Sequence, residues 1–136
     1  MKTNALPDRL AQDAVIKDVL ANKGALFGYL FGSHAKNTAL NRSDVDIAVF
    51  LSENDAQKRF ETGLYLSGRL SALLGKEVEL LVLNDLENNY LLHDILHDGI
   101  VILDADPDER FRFETETQHR ILDFFAHLEY VAIQPD

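Results

Sequence analysis

The chain has 136 residues, 46% of them hydrophobic, and this size predicts one domain spanning residues 1–136. Its 13 basic and 23 acidic side chains give a formal net charge of −10, so the domain is acidic. That charge argues against direct binding to nucleic acid, since no local cluster of Lys and Arg offsets it. The chain has no cysteine, no run of 18 apolar residues and no signal peptide after Met1, so we expect a cytoplasmic protein without disulfides, thiolate metal sites or a membrane partner.

Helical and strand-like patterns follow one another along the chain. The predicted elements are, in order, an amphipathic helix from Pro7 to Lys23–Gly24, strands at 26–31 and 44–51, a helix from the capping cluster 52–55 to Leu74, a strand at 77–83, a helix from Asn84–Asp85 to Asp98–Gly99, a strand at 100–103 and a final helix from 106–108 to about Tyr130. This order predicts an α/β (α+β) fold, with a small mixed sheet of about four strands packed by helices and a long C-terminal helix.

The spacing of apolar residues predicts which side of two helices faces the core. In the helix that ends at Leu74, the predicted core positions are Phe60, Leu64, Leu74 and either Ser67 or Leu70, while Gly63 and Gly68 indicate weak helix formers or close packing. In the final helix they are Phe111, Leu122, Phe125 and Leu128.

The pattern with the most chemical content lies between the first two strands. Gly32-Ser33 is followed by ten residues and then by Asp44-Val45-Asp46. Because strand side chains alternate between faces, Asp44 and Asp46 fall on the same face, about 7 Å apart along the strand. Two hard oxygen donors beside a Gly-Ser turn, whose N–H groups can bind phosphate, suit a nucleoside triphosphate with Mg²⁺.

This stretch resembles the GSx10DxD signature of the polymerase β-like nucleotidyltransferase superfamily and, within it, the minimal nucleotidyltransferases (MNT proteins). The matching residues are Gly32, Ser33, Ala35, Lys36, Ser43, Asp44, Val45, Asp46, Ile47, Ala48 and Val49. The resemblance extends from about Phe27 to the strand near Val101, and it implies the polymerase β-like nucleotidyltransferase fold.

The resemblance also implies a role for each motif residue. Gly32 and Ser33 would bind the phosphates of ATP, and Asp44 and Asp46 would hold two Mg²⁺ ions and act in catalysis together with Ser33. Lys36 would offset the charge of the triphosphate, although a solvated loop lysine is an equal alternative. We expect His34, in the same loop, to lie at the surface, and contact with a phosphate or nucleotide is the alternative because loops at sites carry function.

A third carboxylate is expected from the resemblance on the next strand. Val78-Glu79-Leu80-Leu81 fits the family pattern, so Glu79 is predicted as a catalytic residue that ligates metal or acts as a base through water. Strand alternation places Glu77 on the same face as Glu79, and Glu77 therefore remains the alternative.

The resemblance implies a function as the antitoxin of a HEPN–MNT toxin–antitoxin module. The chain would transfer AMP from ATP to a tyrosine hydroxyl of a cognate HEPN ribonuclease, and it would form a hetero-oligomer with that toxin. The chain is too short to carry an acceptor-binding domain, which favours a protein acceptor. The final helix, about residues 107–131 with Phe111, Phe113, Phe124 and Phe125, is a candidate docking element, although ordinary core packing is favoured for most of those side chains.

Two other functions are compatible with the sequence. One is a non-catalytic antitoxin that acts by stoichiometric binding, which the intact Gly-Ser and Asp-Val-Asp residues argue against. The other is a small-molecule nucleotidyltransferase of the aminoglycoside-modifying type, which the short length argues against.

Overall fold

The structure, a computed structural model, describes residues 6–39 and 44–134. In these two ranges the elements are α1 (Leu6–Gln12), α2 (Ala14–Asn22), β1 (Ala25–Phe31), β2 (Val45–Leu51), α3 (Ala56–Leu74), β3 (Val78–Val82), a 3-10 turn (Leu83–Asp85), α4 (Asn89–Asp98), β4 (Ile100–Asp104) and α5 (Pro107–Ile133). None of the helices among these residues is both long and apolar enough to cross a bilayer.

The strands form one mixed sheet in the order β3-β2-β1-β4. β1 pairs antiparallel with β2 and with β4, whereas β2 and β3 run parallel. Helices α1, α2 and α3 pack on one face over a core that includes Leu20 and Ile47, and α4 and α5 cover the other face with side chains such as Leu92 and Ile121. The predicted fold class, with its mixed four-stranded sheet and long C-terminal helix, is thus confirmed.

The first predicted helix is in fact two helices. Asp13 has extended dihedral angles, and its Oδ1 accepts hydrogen bonds from the N–H groups of Val15 at 2.9 Å and Ile16 at 3.1 Å. An aspartate that caps a helix in this way stops the preceding helix and starts a new one. The prediction of a continuous helix was wrong because the amphipathic pattern runs across the break, with Leu10 and Leu20 both buried.

The helix after β3 begins later than predicted. Asn84 does not cap it. Its side chain accepts a hydrogen bond from the Leu51 N–H and donates one to the Leu51 carbonyl, both at 2.9 Å, and so pairs with the last residue of β2. Asp85 forms an ion pair with Arg59, with Nη2 and Oδ1 2.7 Å apart. The N-cap is Asn88, whose side chain accepts from two N–H groups in the first turn of α4.

The predicted core side of α3 is wrong at Phe60 and Leu64 but right at Leu70, which is fully buried, and at Leu74, which packs against the core. Phe60 and Leu64 are 60% and 61% exposed, and the buried residues are Gly63, Leu66 and Leu70. The cause is close packing at Gly63, where an added Cβ would lie 3.2 Å from Cγ2 of Val82 on β3. Gly63, which has no side chain, therefore faces the sheet. The neighbouring apolar residues Phe60 and Leu64 are consequently left uncovered.

The long helix α5 buries a stripe that matches the predicted one only at Phe125, which packs against the core. Phe111 and Leu122 are exposed, and the buried positions are Thr117 and Ile121. Phe113 packs against the rings of Phe27 and Phe50, with centroids 5.5 and 5.6 Å away. Phe113 and Phe125 therefore pack against the core, whereas Phe124 is half-buried beside Tyr90 and is not part of a core cluster.

A buried hydrogen bond ties α5 to the middle of the sheet. The Tyr29 hydroxyl on β1 donates to the carboxylate of Glu114. Burial, followed by this bond, raises the pKa of Tyr29 far above its usual value, so the phenol stays protonated. Glu114 also accepts from Arg110, which binds Asp104 at the end of β4 with Nε and Oδ1 2.9 Å apart. This network fixes α5 against both β1 and β4.

We predict that Tyr29→Phe lowers the free energy of unfolding by about 1.5–3 kcal/mol, because a buried hydrogen bond to a charged group is lost. Urea denaturation of both proteins measures the change. Tyr130→Phe on the exposed side of α5 is the matched control, and it should change the unfolding free energy by less than about 0.5 kcal/mol. Equal effects of the two substitutions would contradict the assignment.

Candidate active site

Two strand pairings place three parts of the chain around the Asp46 carboxylate. In the antiparallel ladder Phe31 on β1 lies opposite Asp46, so the turn that begins at Gly32 follows directly beside it. In the parallel ladder Asp46 lies opposite Glu79 on β3. Asp44 immediately precedes β2 and is exposed to solvent, whereas Asp46 is half-buried. The structure thus brings the predicted residues Gly32, Asp44, Asp46 and Glu79 together.

Gly32 is required at its position for two independent reasons. Its φ of 75° lies in the left-handed region that favours glycine. A Cβ added there would collide with Oδ2 of Asp46 and would stand 3.2 Å from its Cγ. The main chain therefore passes directly against the carboxylate. The turn is closed by two backbone hydrogen bonds, from Lys36 N–H to the Gly32 carbonyl at 3.1 Å and from Thr38 N–H to the Ser33 carbonyl at 2.9 Å.

The carboxylates of the site repel one another. Burial raises the pKa of Asp46, and the neighbouring charges of Glu79 and then Asp44 raise it further. The Asp46 carboxyl lies within hydrogen-bonding reach of Glu79 when one of the two holds a proton. His34 acts in the opposite direction and lowers the pKa of Asp46 when it is charged. His34 is therefore close to the site, and its place in the chain directly after Gly32-Ser33 is the sequence signal for this.

The structure distinguishes between the two candidates for the third carboxylate by position. Glu79 is opposite Asp46 in the ladder, and the charges that act on the Asp46 carboxyl are those of Glu79, Asp44 and His34. Glu77 lies one step outside the ladder, where its carbonyl accepts from the Val45 N–H at 2.9 Å. Its distance from Asp46 makes Glu77 the weaker candidate.

Lys36 extends from the same turn toward α4. Its Nζ lies 2.9 Å from Oδ1 of Asp94 and 3.8 Å from Oδ2 of Asp98. The hydrogen bond to Asp94 is the main reason why the pKa of Lys36 is raised. A phosphate that bound Lys36 would have to compete with these carboxylates. Ser33 sits half-buried in the turn, and Ser43 of the sequence motif lies outside the described residues.

The donor set fits a hard divalent cation. Asp44, Asp46 and Glu79 supply carboxylate oxygens, which Mg²⁺ prefers, and a cation between them would remove the repulsion that raises the Asp46 pKa. Within residues 6–39 and 44–134, no three His, Asp or Glu side chains already converge as a preformed metal cluster. Ligation would therefore require side-chain rotation, which is open to Asp44 and Glu79 because both are exposed.

The chain is similar in sequence to known proteins. The family model described as "Polymerase beta, Nucleotidyltransferase" matches residues 15–108, which is more than half of the chain. A "Putative protein adenylyltransferase" of Methanocaldococcus jannaschii is 38% identical over 74 residues, covering 54% of this chain and 71% of that protein. The aligned segment covers more than two thirds of that protein, which is enough to indicate that the two chains share a family.

Solved structures show the same fold at lower identity. A crystal structure of a toxin–antitoxin with AMP-PNP has a TM-score of 0.67 at 24% identity and covers 85% of this chain and 90% of that chain. A complex of a tri-AMPylated Shewanella oneidensis HEPN toxin with an MNT antitoxin has a TM-score of 0.66 at 22% identity, with coverage of 91% and 94%. At these identities the likeness concerns the fold.

We predict that Asp46→Asn stabilises the metal-free protein at neutral pH. Because the folded-state pKa of Asp46 is raised, the folded protein holds a proton more tightly than the unfolded chain does. The wild-type unfolding free energy should fall as pH rises from the ordinary Asp value through this raised pKa, and Asn at position 46 removes that loss. Urea denaturation across this pH range, without divalent ions, measures the difference between the two proteins.

The advantage of Asp46→Asn should vanish below the ordinary pKa of Asp, where both states are protonated. Addition of Mg²⁺ should raise the melting temperature of the wild type and leave that of Asp46→Asn nearly unchanged, since a ligand that binds only the folded state stabilises it. A variant that is less stable than the wild type at every pH would contradict the electrostatic account.

We also predict that Gly32→Ala costs more stability than Gly75→Ala. Gly75 ends α3 with a φ of 65° but has no atom within 4 Å of an added Cβ, so its substitution introduces backbone strain alone, about 1–2 kcal/mol. Gly32→Ala adds the collision with Asp46 and should cost at least about 1 kcal/mol more. Chemical denaturation of the two variants provides the comparison, and equal losses would show that the turn is not packed on the carboxylate.

Proposed function

Because this chain belongs to the polymerase beta nucleotidyltransferase family, we propose that it transfers AMP from ATP to a tyrosine hydroxyl of a HEPN ribonuclease toxin and thereby acts as the antitoxin. The observation that carries the proposal is the position of Asp46 between the Gly32–Ser33 turn and Glu79. This arrangement provides a phosphate-binding turn and clustered carboxylates at one end of the sheet, as attack on the α-phosphate of ATP requires. The reaction is proposed to take place in the cytoplasm.

Each residue of the site has a part in this mechanism. Asp44, Asp46 and Glu79 would hold Mg²⁺. When bound, Mg²⁺ would neutralise charge on the phosphates and favour ionisation of the attacking hydroxyl. The N–H groups of the turn and the Ser33 hydroxyl would donate to the outer phosphates and hold the leaving group in line. Gly32 keeps the turn close enough to Asp46 for phosphate and carboxylates to face each other.

The bond changes follow from that orientation. The tyrosine oxygen forms a bond to the α-phosphorus, and the bond between the α-phosphorus and the oxygen bridging to the β-phosphate breaks, so that pyrophosphate leaves. The hydroxyl proton passes to Glu79 or, if Glu79 ligates a second Mg²⁺, to water. Glu79 suits either role because it is exposed at the end of the edge strand β3, where an acceptor hydroxyl can approach.

The choice of a protein acceptor has two supports. The relative in Methanocaldococcus jannaschii carries a protein adenylyltransferase name, and the structures of similar fold include an MNT antitoxin with an AMPylated HEPN toxin. The net charge of −10 disfavours a nucleic-acid acceptor, because phosphate backbones would be repelled. A hetero-oligomer with the toxin would supply the remaining walls of the site.

We predict that the double variant Asp44→Asn/Asp46→Asn loses AMP transfer by at least about 10³-fold, because the stabilisation of phosphate charge by a bound cation is lost. Transfer is measured as AMP incorporated into the toxin by intact-protein mass spectrometry. Glu79→Gln should also lower kcat, whereas Glu77→Gln should keep kcat at saturating acceptor. Full Mg²⁺-dependent transfer by the double variant would exclude the mechanism.

The same assay separates the alternative functions. The purified chain is mixed with ATP, Mg²⁺ and a HEPN-family protein encoded beside it, and the toxin is analysed by peptide mass spectrometry. A tyrosine heavier by one or more AMP units supports the proposal. A toxin that is inhibited but unmodified would instead indicate stoichiometric binding, and inactivation of aminoglycosides without toxin would indicate a small-molecule nucleotidyltransferase.

A further inference from the structure

A groove runs along the outer side of the edge strand β3 and opens into the candidate active site. It has a volume of about 810 Å³ and lies between β3 and α3. Phe60, Gly63 and Leu64 line it on the helix side, and Leu80 and Val82 line it on the strand side. Asp44 and Glu79 stand at one end of the same groove, so whatever occupies it reaches the carboxylates of the site.

The helix side of the groove is apolar and uncovered. Phe60 and Leu64 are 60% and 61% exposed, although their helical spacing is that of residues normally buried. Together with Leu80 and Val82 they form a continuous apolar surface along the groove. Contiguous exposed apolar surface next to a polar rim is typical of a binding site for another chain.

The strand side of the groove offers main-chain hydrogen bonds. At Val78 the outward N–H donates to Ser71 Oγ at 3.0 Å, and the outward carbonyl accepts from Ser67 Oγ at 2.7 Å, so α3 closes the edge there. Main-chain groups of a strand alternate in direction, so Leu80 presents its N–H and carbonyl, and Val82 its N–H, to the same side. The Val82 carbonyl instead accepts the first hydrogen bond of the 3-10 turn Leu83–Asp85. In the part of the chain that the structure describes, β3 pairs only with β2, and no side chain bonds to these outward groups.

The charges around the groove indicate which occupant fits. Asp44, Glu77 and Glu79 give its active-site end an acidic rim. A second copy of this chain would bring the same acidic residues together, and a nucleic acid would add its own negative charge. An extended protein segment with apolar side chains and flanking Lys or Arg satisfies the apolar surface, the open strand edge and the acidic rim at once.

We propose that the segment of the toxin that carries the acceptor tyrosine docks in this groove as an added strand beside β3. The inference rests on the proposed transfer of AMP to a protein tyrosine and assigns the surface that presents it. Five residues of extended chain span the length of β3 from Val78 to Val82. The segment bonds to the main chain of Leu80 and Val82, packs its apolar side chains on Phe60 and Leu64, and delivers the tyrosine to Glu79.

The first experiment compares two matched double variants in the transfer assay. Phe60→Ser/Leu64→Ser removes the apolar wall of the groove, and Phe111→Ser/Leu122→Ser removes the same side-chain types at similarly exposed positions, 70% and 57%, on α5. All four residues are exposed, so both variants should fold, which thermal unfolding verifies. We expect the groove variant to raise the KM for the HEPN-family protein at least tenfold, with the KM for ATP unchanged, and the α5 variant to leave both values unchanged.

The second experiment does not depend on catalysis. Amide hydrogen exchange is followed at Leu80 and Val82 with and without the HEPN-family protein, in the absence of ATP. Both amides should exchange at least tenfold more slowly in the complex, and Phe60→Ser/Leu64→Ser should abolish this protection. If the wild type transfers no AMP but the amides are protected, the proposed function fails and the docking surface stands.

The docking proposal is overturned if the amides of Leu80 and Val82 are not protected in a complex that forms. It is also overturned if the groove variant keeps the wild-type KM for the toxin. A raised KM in the α5 variant alone would assign docking to the Phe-rich helix instead. Transfer by the wild type in each of these cases would leave the proposed function intact.

Discussion

The position of β2 between β1 and β3 fixes the arrangement on which the rest of the site depends. Asp46 is held on one side by the antiparallel pairing with Phe31 and on the other by the parallel pairing with Glu79. A slip of one residue in either ladder would turn one of these side chains to the opposite face of the sheet. The sheet thus forces like charges together, and the raised pKa of Asp46 is the electrostatic consequence. The requirement for glycine at position 32 is the second consequence, since only a residue without Cβ fits so close to the Asp46 carboxylate.

The site is shallow because β3, which carries Glu79, is an edge strand. The helices cover both faces of the sheet, but α3 closes the outer edge of β3 only at Val78. An open edge usually invites unwanted pairing, and charged residues on it restrict which chains can approach. The acidic end of the groove and the net charge of −10 are consistent with selection of a cationic segment and with rejection of other copies.

Local signals predicted most of the fold correctly, and two of the errors come from contacts between distant segments. Asp55 and Gly75 bound α3 as expected, because capping and left-handed glycine are properties of a few neighbouring residues. Asn84 looks like a helix cap in the sequence but bonds to Leu51, which is 33 residues away. Phe60 looks like a core residue, but the close approach of Gly63 to Val82 turns it outward. The contact of Asn84 leaves no trace in the local pattern, and at Gly63 the pattern indicates close packing without showing which segment it packs against.

For the candidate site, the sequence by itself determined which residue types are available and which of them share a strand face. The spacing of Gly32, Asp44 and Asp46 is sufficient for that, since strand alternation is a fixed geometric period. Only the tertiary structure decided that Glu79 rather than Glu77 lies opposite Asp46, that His34 acts on the Asp46 charge, and that an open groove leads away from the site. The reason is physical: strand register and helix rotation are set by packing between distant segments, whose energies depend on the whole fold.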